Sequence, residues 1–382
     1  MFRVLTKTVS SVLVSSLLCL SAAPNWSHKP ASEVKWYKVT HAGTFLYGTD
    51  DALASLNPET GTVLWSRDDL RKIPQFNVEE VNAVPLLFVA VNEGAFQKKS
   101  RLVALDLTEG KTVWETEKLP GQVVDVFPAY EQNLVVMVTV PAPGSKSELD
   151  VTAMDFATGK VAFETHIDEK ADLYVSDSSG KFVIKFDLSG HAQPVIQDGV
   201  LYLSYAGIHA IDLKTGQLLW KNAFDVTEKS YKKTNASPLI HGDVVISSAK
   251  GVLKGFDRKT GQLKWTSPDF GGGVAEMLLN GGVLFGRMGG MFMQPMAKEW
   301  ELKKPLGVVA LEPEPAKVLW RYDKAKNSIT NMALMPDGQT VLIGDQKTLI
   351  GLSRDGNESF RIPVDFKKGM TAGKFAAGAL KV

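Results

Sequence analysis

From residue 34 onward, apolar residues come in groups of four or five, and most groups stop at a polar turn built on Asp or Asn and glycine. Leu102–Leu105 and Ile208–Ile211 precede such a turn, and Thr62–Trp65 and Gln217–Trp220 follow one. Groups this short, bounded by turn residues, predict β-strands, and links of about four residues predict hairpins.

The hairpins repeat. Asn57–Trp65, Asp106–Trp114, Asp155–Phe163, Asp212–Trp220, Asp257–Trp265, Glu312–Trp320 and Ser353–Phe360 align as seven copies ending in an aromatic residue. Glycine stands four residues before the aromatic in six of them, as Gly61, Gly110, Gly159, Gly216, Gly261 and Gly356, and Ala316 takes its place in the other. Thr60, Thr158, Thr215 and Thr260 precede four of those glycines. The Asp or Asn side chain can accept backbone N–H groups across the turn, and glycine supplies the left-handed conformation that closes it. Two residues before the Asp/Asn column stands a small side chain: Ser55, Ala104, Ala153, Ala210, Gly255, Ala310 and Gly351. This column predicts close packing between neighbouring blades. The terminal aromatics Trp65, Trp114, Phe163, Trp220, Trp265, Trp320 and Phe360 are expected to fill the wider space towards the blade edge.

Successive aromatics lie 40 to 57 residues apart, which suits one four-stranded blade per repeat. The fold expected is therefore all-β: a β-propeller of four-stranded blades, forming a single domain over residues 34–382. Seven signatures favour seven blades. Eight are possible if Val34–Val39, with Trp36, is a remnant of a further blade completed by Phe375–Val382; the same two segments could instead pair to close a seven-bladed ring.

In an antiparallel four-stranded blade the link between second and third strands, and the crossover to the next blade, leave at the end opposite the repeat turns. Asn92–Arg101, Pro141–Asp150 and Arg287–Leu306 all lengthen the second-to-third link, and Asp168–His191 lengthens a crossover. The crossover insert predicts its own hairpin, Leu173–Val175 with Phe182–Phe186, around Ser178-Ser179-Gly180. All four inserts fall on one face, where long loops on a rigid scaffold point to binding.

The first residues change the picture of where the chain works. Arg3 and Lys7, the apolar Val9–Leu20 and the small Ser21, Ala22 and Ala23 read as a secretory signal peptide over residues 1–22, followed by a tail over 23–33. Pro24 favours Ala22 over Ala23 as the last residue removed. The apolar run is too short to span a membrane, and no later run is longer, so the protein is expected as a periplasmic or secreted monomer without a transmembrane segment. The only cysteine, Cys19, lies in the leader after Leu18, where a lipoprotein would carry a small residue, so lipid anchoring is not expected. A mature chain without cysteine excludes disulfides, thiolate metal sites and cysteine nucleophiles. With 43 Lys and Arg against 42 Asp and Glu, nothing favours nucleic acid as a partner.

Repeats such as Ala210-Ile211-Asp212-Leu213-Lys214-Thr215-Gly216-Gln217-Leu218-Leu219-Trp220 resemble those of the quinoprotein-like, or PQQ-like, propellers. That family joins pyrroloquinoline quinone (PQQ) dehydrogenases to outer-membrane assembly propellers of the BamB type, which have the repeat without the cofactor. The resemblance runs over about residues 34–366 and implies fold more than function. Its assembly branch implies an exported, non-catalytic scaffold that binds a protein or peptide partner, without cofactor. Its enzyme branch implies a PQQ- and calcium-dependent oxidoreductase. That would need basic side chains with carboxylate and amide oxygens, and Lys98, Lys99, Arg101, Lys146, Lys298, Lys303 and Lys304 are the basic residues on the expected face. No Asp stands out as a catalytic base. Separately, Met288, Met291, Met293 and Met296 offer soft thioether donors for Cu(I), or an adaptable apolar surface. His41, His166, His191, His209 and His241 show no metal-ligand spacing.

Overall fold

The computed structural model describes residues 26–82, 84–93, 99–140, 148–168, 174–176, 182–184, 192–205, 207–223, 236–249, 251–294 and 299–363. Residues 1–25 with Cys19, and Lys98, Lys146, His191, Met296, Lys298 and Phe375–Val382, lie outside the described residues.

Each repeat folds as one antiparallel sheet, so the fold is an all-β propeller type with seven four-stranded sheets. Sheet 1 is Val34–Val39, Phe45–Thr49, Leu53–Leu56 and Val63–Arg67. Sheet 2 is Val78–Glu80, Leu86–Glu93, Lys99–Asp106 and Thr112–Glu115, with the short Leu119–Pro120 added beside the third strand. Sheet 3 is Gln122–Ala129, Leu134–Val140, Glu148–Asp155 and Val161–Asp168. Sheet 4 is Ala192–Gln197, Val200–Ser204, Gly207–Asp212 and Leu218–Ala223. Sheet 5 is Leu239–His241, Val244–Ala249, Val252–Asp257 and Leu263–Thr266. Sheet 6 is Val274–Asn280, Val283–Gln294, Glu299–Glu312 and Lys317–Tyr322. Sheet 7 is Ala333–Leu334, Val341–Asp345, Thr348–Leu352 and Glu358–Pro363.

Val34–Val39 pairs with Phe45–Thr49 as the first strand of sheet 1. This corrects the reading of it as a remnant of an eighth blade. Trp36 lies over Gly48 of the adjoining strand, and its indole N–H donates to the Ile73 carbonyl at 2.7 Å. Val34–Val39 therefore has its place fixed within its own sheet.

The chain divides into two compact units: Met1–Gln75 with Asn82–Leu86 and Asp106–Lys111, and the rest. The second unit's apolar clusters sit between consecutive sheets. One joins Val136, Val138 and Val151 of sheet 3 to Leu201, Leu203 and Ile211 of sheet 4, all fully buried. Another joins Ile246 and Leu253 of sheet 5 to Val274, Leu284 and Val309 of sheet 6.

The repeat turns are closed from within. Asp106 accepts the backbone N–H groups of Thr108 and Glu109 at 2.8 and 2.9 Å and the Thr108 hydroxyl at 2.6 Å. Asp155, Asp212 and Asp257 repeat this, and Asn57 does so with its amide oxygen. The Thr108 hydroxyl holds the Asp106 carboxyl below its usual range, and the Thr260 N–H and hydroxyl do the same to Asp257. Gly110 and its equivalents adopt φ near +70°, as does Ala316 at +70°, a costly position for a side-chain-bearing residue.

A bulge precedes every terminal aromatic. Trp65 pairs with Ser55 but Val63 with Leu56, so Leu64 is skipped, and the same slip occurs in all seven sheets. The register places the small column directly opposite the aromatic of the same sheet: Ala104 faces Trp114, Ala210 faces Trp220 and Gly255 faces Trp265. A Cβ on Gly255 or Gly351 would overlap the ring of Trp265 or Phe360. The small residue therefore makes room for the aromatic of its own sheet. Ala153, Ala210 and Ala310 also sit in buried clusters shared with the following sheet, the close packing between blades that the spacing predicted. The ring then reaches the next sheet. A Cβ added at Gly110, Gly159, Gly216, Gly261 or Gly356 would overlap Trp65, Trp114, Phe163, Trp220 or Trp320 respectively. The Trp65, Trp114, Trp220 and Trp320 indole N–H groups donate to turn carbonyls of Leu107, Phe156, Arg258 and Arg354 at 2.6–3.0 Å. The locks of Trp65, Trp114, Trp220 and Trp320 each have a small residue below, a glycine turn beside and one carbonyl at the rim.

Candidate functional site

Strand lengths single out one end of the sheets. Second and third strands have 5 and 4 residues in sheet 1, 5 and 6 in sheet 4, and 5 and 5 in sheet 7. They reach 8 and 8 in sheet 2, 7 and 8 in sheet 3, and 12 and 14 in sheet 6. The extra length lies at the end opposite the repeat turns. The insert Arg287–Leu306, expected as a loop, is a hairpin in which Gly290↔Lys303, Met291↔Leu302 and Met293↔Trp300 prolong the ladder. Likewise 92–93 and 99–101 of the sheet 2 insert, and 148–150 of the sheet 3 insert, are strand, while 94–98 and 141–147 lie outside the described residues. The expected hairpin in the crossover insert forms between Tyr174–Ser176 and Phe182–Ile184.

Charged clusters brace the base of these extensions. In sheet 2, Glu93 takes Arg101 Nε at 2.7 Å and Lys118 Nζ at 2.6 Å, and Arg101 Nη1 also reaches Glu115 at 2.6 Å. Lys118 and then Arg101 hold the Glu93 carboxyl below its ordinary value. In sheet 3, Asp150 and His166 stand opposite each other with Oδ1 and Nδ1 2.6 Å apart. In sheet 6, Arg287 is buried; its Nε donates to Glu276 at 3.1 Å and its Nη1 to the Gly289 carbonyl at 2.8 Å. Burial draws the Arg287 guanidinium below its ordinary value while Glu276 opposes that shift. Glu276 also accepts the Met332 N–H at 2.8 Å, tying the crossover into sheet 7. Asp345 gathers the N–H groups of Lys326, Asn327 and Ser328 at 3.0–3.3 Å in that same crossover. These clusters position backbone; none presents an unengaged nucleophile beside a base.

The four methionines are not brought together as one described group. Met288 is fully buried among Phe270, Val274 and Val309, Met291 and Met293 occupy backbone positions in the extended hairpin, and Met296 lies outside the described residues. Of the basic residues, Arg101 is committed to two carboxylates, while Lys99 and Lys304 are exposed. Among the described residues no three Asp, Glu, His or Cys side chains stand together as a metal site. His209 is buried in the third strand of sheet 4, where packing was expected of it. Sequence reasoning missed the Glu276–Arg287 brace, because residues eleven apart across a hairpin carry no spacing signal, and it missed Trp26. No helix among the described residues is long and apolar enough to cross a membrane.

The chain is similar to several known proteins. In solved structures the fold matches BamB from Moraxella catarrhalis at 16% identity over 86% of this chain and 88% of that one, with a TM-score of 0.57. It also matches the dihydro-heme d1 dehydrogenase NirN at 12% identity, 87% and 67% coverage and a TM-score of 0.54. A europium-containing methanol dehydrogenase matches at 12% identity, 87% and 80% coverage and a TM-score of 0.52. At these identities the likeness is one of fold, shared by an assembly factor and two dehydrogenases. No curated protein sequence matches the chain. The family model for outer membrane protein assembly factor BamB matches residues 17–116 and 49–288, well over half of the chain, and the chain belongs to that family of PQQ-like repeat propellers.

Proposed function

We propose that the chain is an exported, non-catalytic scaffold that receives a protein or peptide partner at the insert-bearing end of its sheets, in cell-envelope protein assembly. One observation carries the reading: the strand extensions of sheets 2, 3 and 6 all lie at the end opposite the repeat turns. An extended hairpin offers free strand edges and alternating side chains, which suit an incoming extended segment. The family match supports an assembly role, and the braced charges beneath the extensions supply the rigid base that such a surface needs.

The test places a photo-crosslinking residue at Lys99 or Lys304, at the insert-bearing end, and at Glu109 or Lys214 in the repeat turns. One partner band from the first pair and none from the second is expected. Equal labelling from both pairs, or none from either, removes the reading. A parallel titration with PQQ and calcium, followed by tryptophan fluorescence, is expected to be flat. Saturable, calcium-dependent quenching would replace the scaffold with the oxidoreductase.

A further inference from the structure

Every lock described above takes its aromatic from the outer strand of the preceding sheet, except the first. The turn of sheet 1 has the same parts as the others: Asn57 closes it, Gly61 stands at φ +71°, and the Pro58 carbonyl faces the rim. Its aromatic is Trp26. A Cβ on Gly61 would overlap the Trp26 ring, and Trp26 Nε1 donates to Pro58 O at 2.8 Å, the bond that Trp65 makes to Leu107 and Trp220 to Arg258. Behind it, His28 meets Tyr47 of the second strand, with Nε2 3.1 Å from the hydroxyl and ring centroids 5.9 Å apart. Exposure alternates along the segment: Trp26, His28, Pro30 and Ser32 are half-buried and Ser27, Lys29, Ala31 and Glu33 are exposed. That is the period of an extended chain laid along a surface. Residues 26–33 nevertheless belong to no sheet.

We propose that residues 26–32 form a strap and that the sheet 1 turn is a binding socket for a tryptophan-bearing extended peptide, occupied in cis by the chain's own N-terminal segment. The socket has the glycine wall and carbonyl acceptor that hold an indole in the other locks. What differs is the tether. Elsewhere the ring comes on a four-stranded sheet that cannot leave, whereas among the described residues Trp26 belongs to no strand ladder and is held through its indole. Segments held in this way open at a small fraction of the global unfolding free energy. The strap is therefore exchangeable for a second segment of the same chemistry. This does not depend on what the insert-bearing end binds.

The experiment uses the full mature chain carrying Trp26→Ala and a synthetic peptide of residues 24–33, with and without the tryptophan. Trp26→Ala is expected to lower the melting temperature by about 3 °C, on the scale of ~2–4 °C per kcal/mol. Saturating native peptide should restore most of that loss by mass action, and the alanine peptide none of it. Trp26→Phe, which keeps a ring but loses the N–H, should fall by about half as much and answer to the same peptide; it serves as the working variant if the alanine chain does not fold. An unchanged melting temperature in both variants, or equal restoration by both peptides, would overturn the proposal.

Discussion

Two neighbouring locks in the second unit differ at the glycine position of the turn. Between sheets 4 and 5, Trp220 lies against Gly261 and its N–H donates to Arg258 O at 3.0 Å. Between sheets 5 and 6, Trp265 meets a turn in which Ala316 stands at φ +70°, and the two residues share one buried cluster. There the indole N–H is buried with no hydrogen-bond partner among the described residues. A Cβ at the glycine position would overlap the ring in five of the other locks, so the Trp265 ring cannot seat against Ala316 as Trp220 seats against Gly261. The comparison teaches that glycine here does two jobs: it accepts a left-handed backbone, and it lets the indole come close enough to bond. Ala316 tolerates the first and forfeits the second. An unmatched buried donor costs about 1–3 kcal/mol, which the apolar contact of the sixth lock must outweigh.

The comparison breaks most readily at its sound member. Gly261→Ala adds the left-handed strain and displaces Trp220, and is expected to lose about 2–4 kcal/mol in denaturant unfolding. A loss below about 1 kcal/mol would mean that the ring slides aside freely and that Ala316 explains nothing. Replacing the indoles sharpens the contrast. Trp220→Phe removes a made hydrogen bond and Trp265→Phe an unmade one, so the first should cost about 1–2 kcal/mol more than the second. Equal costs in the two melts would separate the missing bond from the methyl. Smaller still, Ala316→Gly should stabilise by about 0.5 kcal/mol, relief of strain outweighing the added freedom of the unfolded chain; a destabilised variant would show that Ala316 is relaxed where it is.

The smallest effect concerns the lock that follows. Sheets 6 and 7 carry a polar clamp: Glu358 takes Arg361 through both oxygens at 2.9 and 2.7 Å and the Tyr322 hydroxyl at 2.8 Å. Arg361 first, and Tyr322 with it, pulls the Glu358 carboxyl from 4.5 down to about 2. Burial first, and then Glu358, pushes the Tyr322 phenol up to about 12. For a carboxyl depressed on folding, the stabilisation is whole above its unfolded value and fades as pH falls from 4.5 towards about 2. Unfolding of Glu358→Gln followed between those limits should therefore show a shallower loss with acid than the parent chain. Parallel acid limbs would place Glu358 outside the clamp.

Most of the fold was legible because its signal is local. Turn Asp, glycine and aromatic recur within nine residues, and that window sets the hairpin, the repeat and the blade. The small column was legible as a site of close packing between sheets, but Ser55, Ala104 and Gly255 do not by themselves say that a ring of the same sheet comes close as well. Only the bulge, which lives in the pairing register, assigns them to the ring of their own sheet. The extended hairpin of sheet 6 was read as a loop because Gly286, Gly289, Gly290 and four methionines look irregular as composition, whereas the ladder depends on which residue faces which. Trp26 was hidden for a plainer reason: it has the ring of a repeat without the turn that announces one. The insert-bearing end was found from lengths alone, but its braces join residues that meet only in three dimensions.

The bulge before each aromatic has a consequence for how such a chain is counted. It turns one ring towards one following turn, so each lock reads a single neighbour and nothing further along. Delete or duplicate a whole repeat, and a surviving ring still meets a turn of the same design. The repeats are thus interchangeable letters in an alphabet that spells adjacency but has no numeral, and the tally of repeats falls to whatever sits at the first and last of them. Trp26, filling the first socket from outside the repeats, is one such terminal mark.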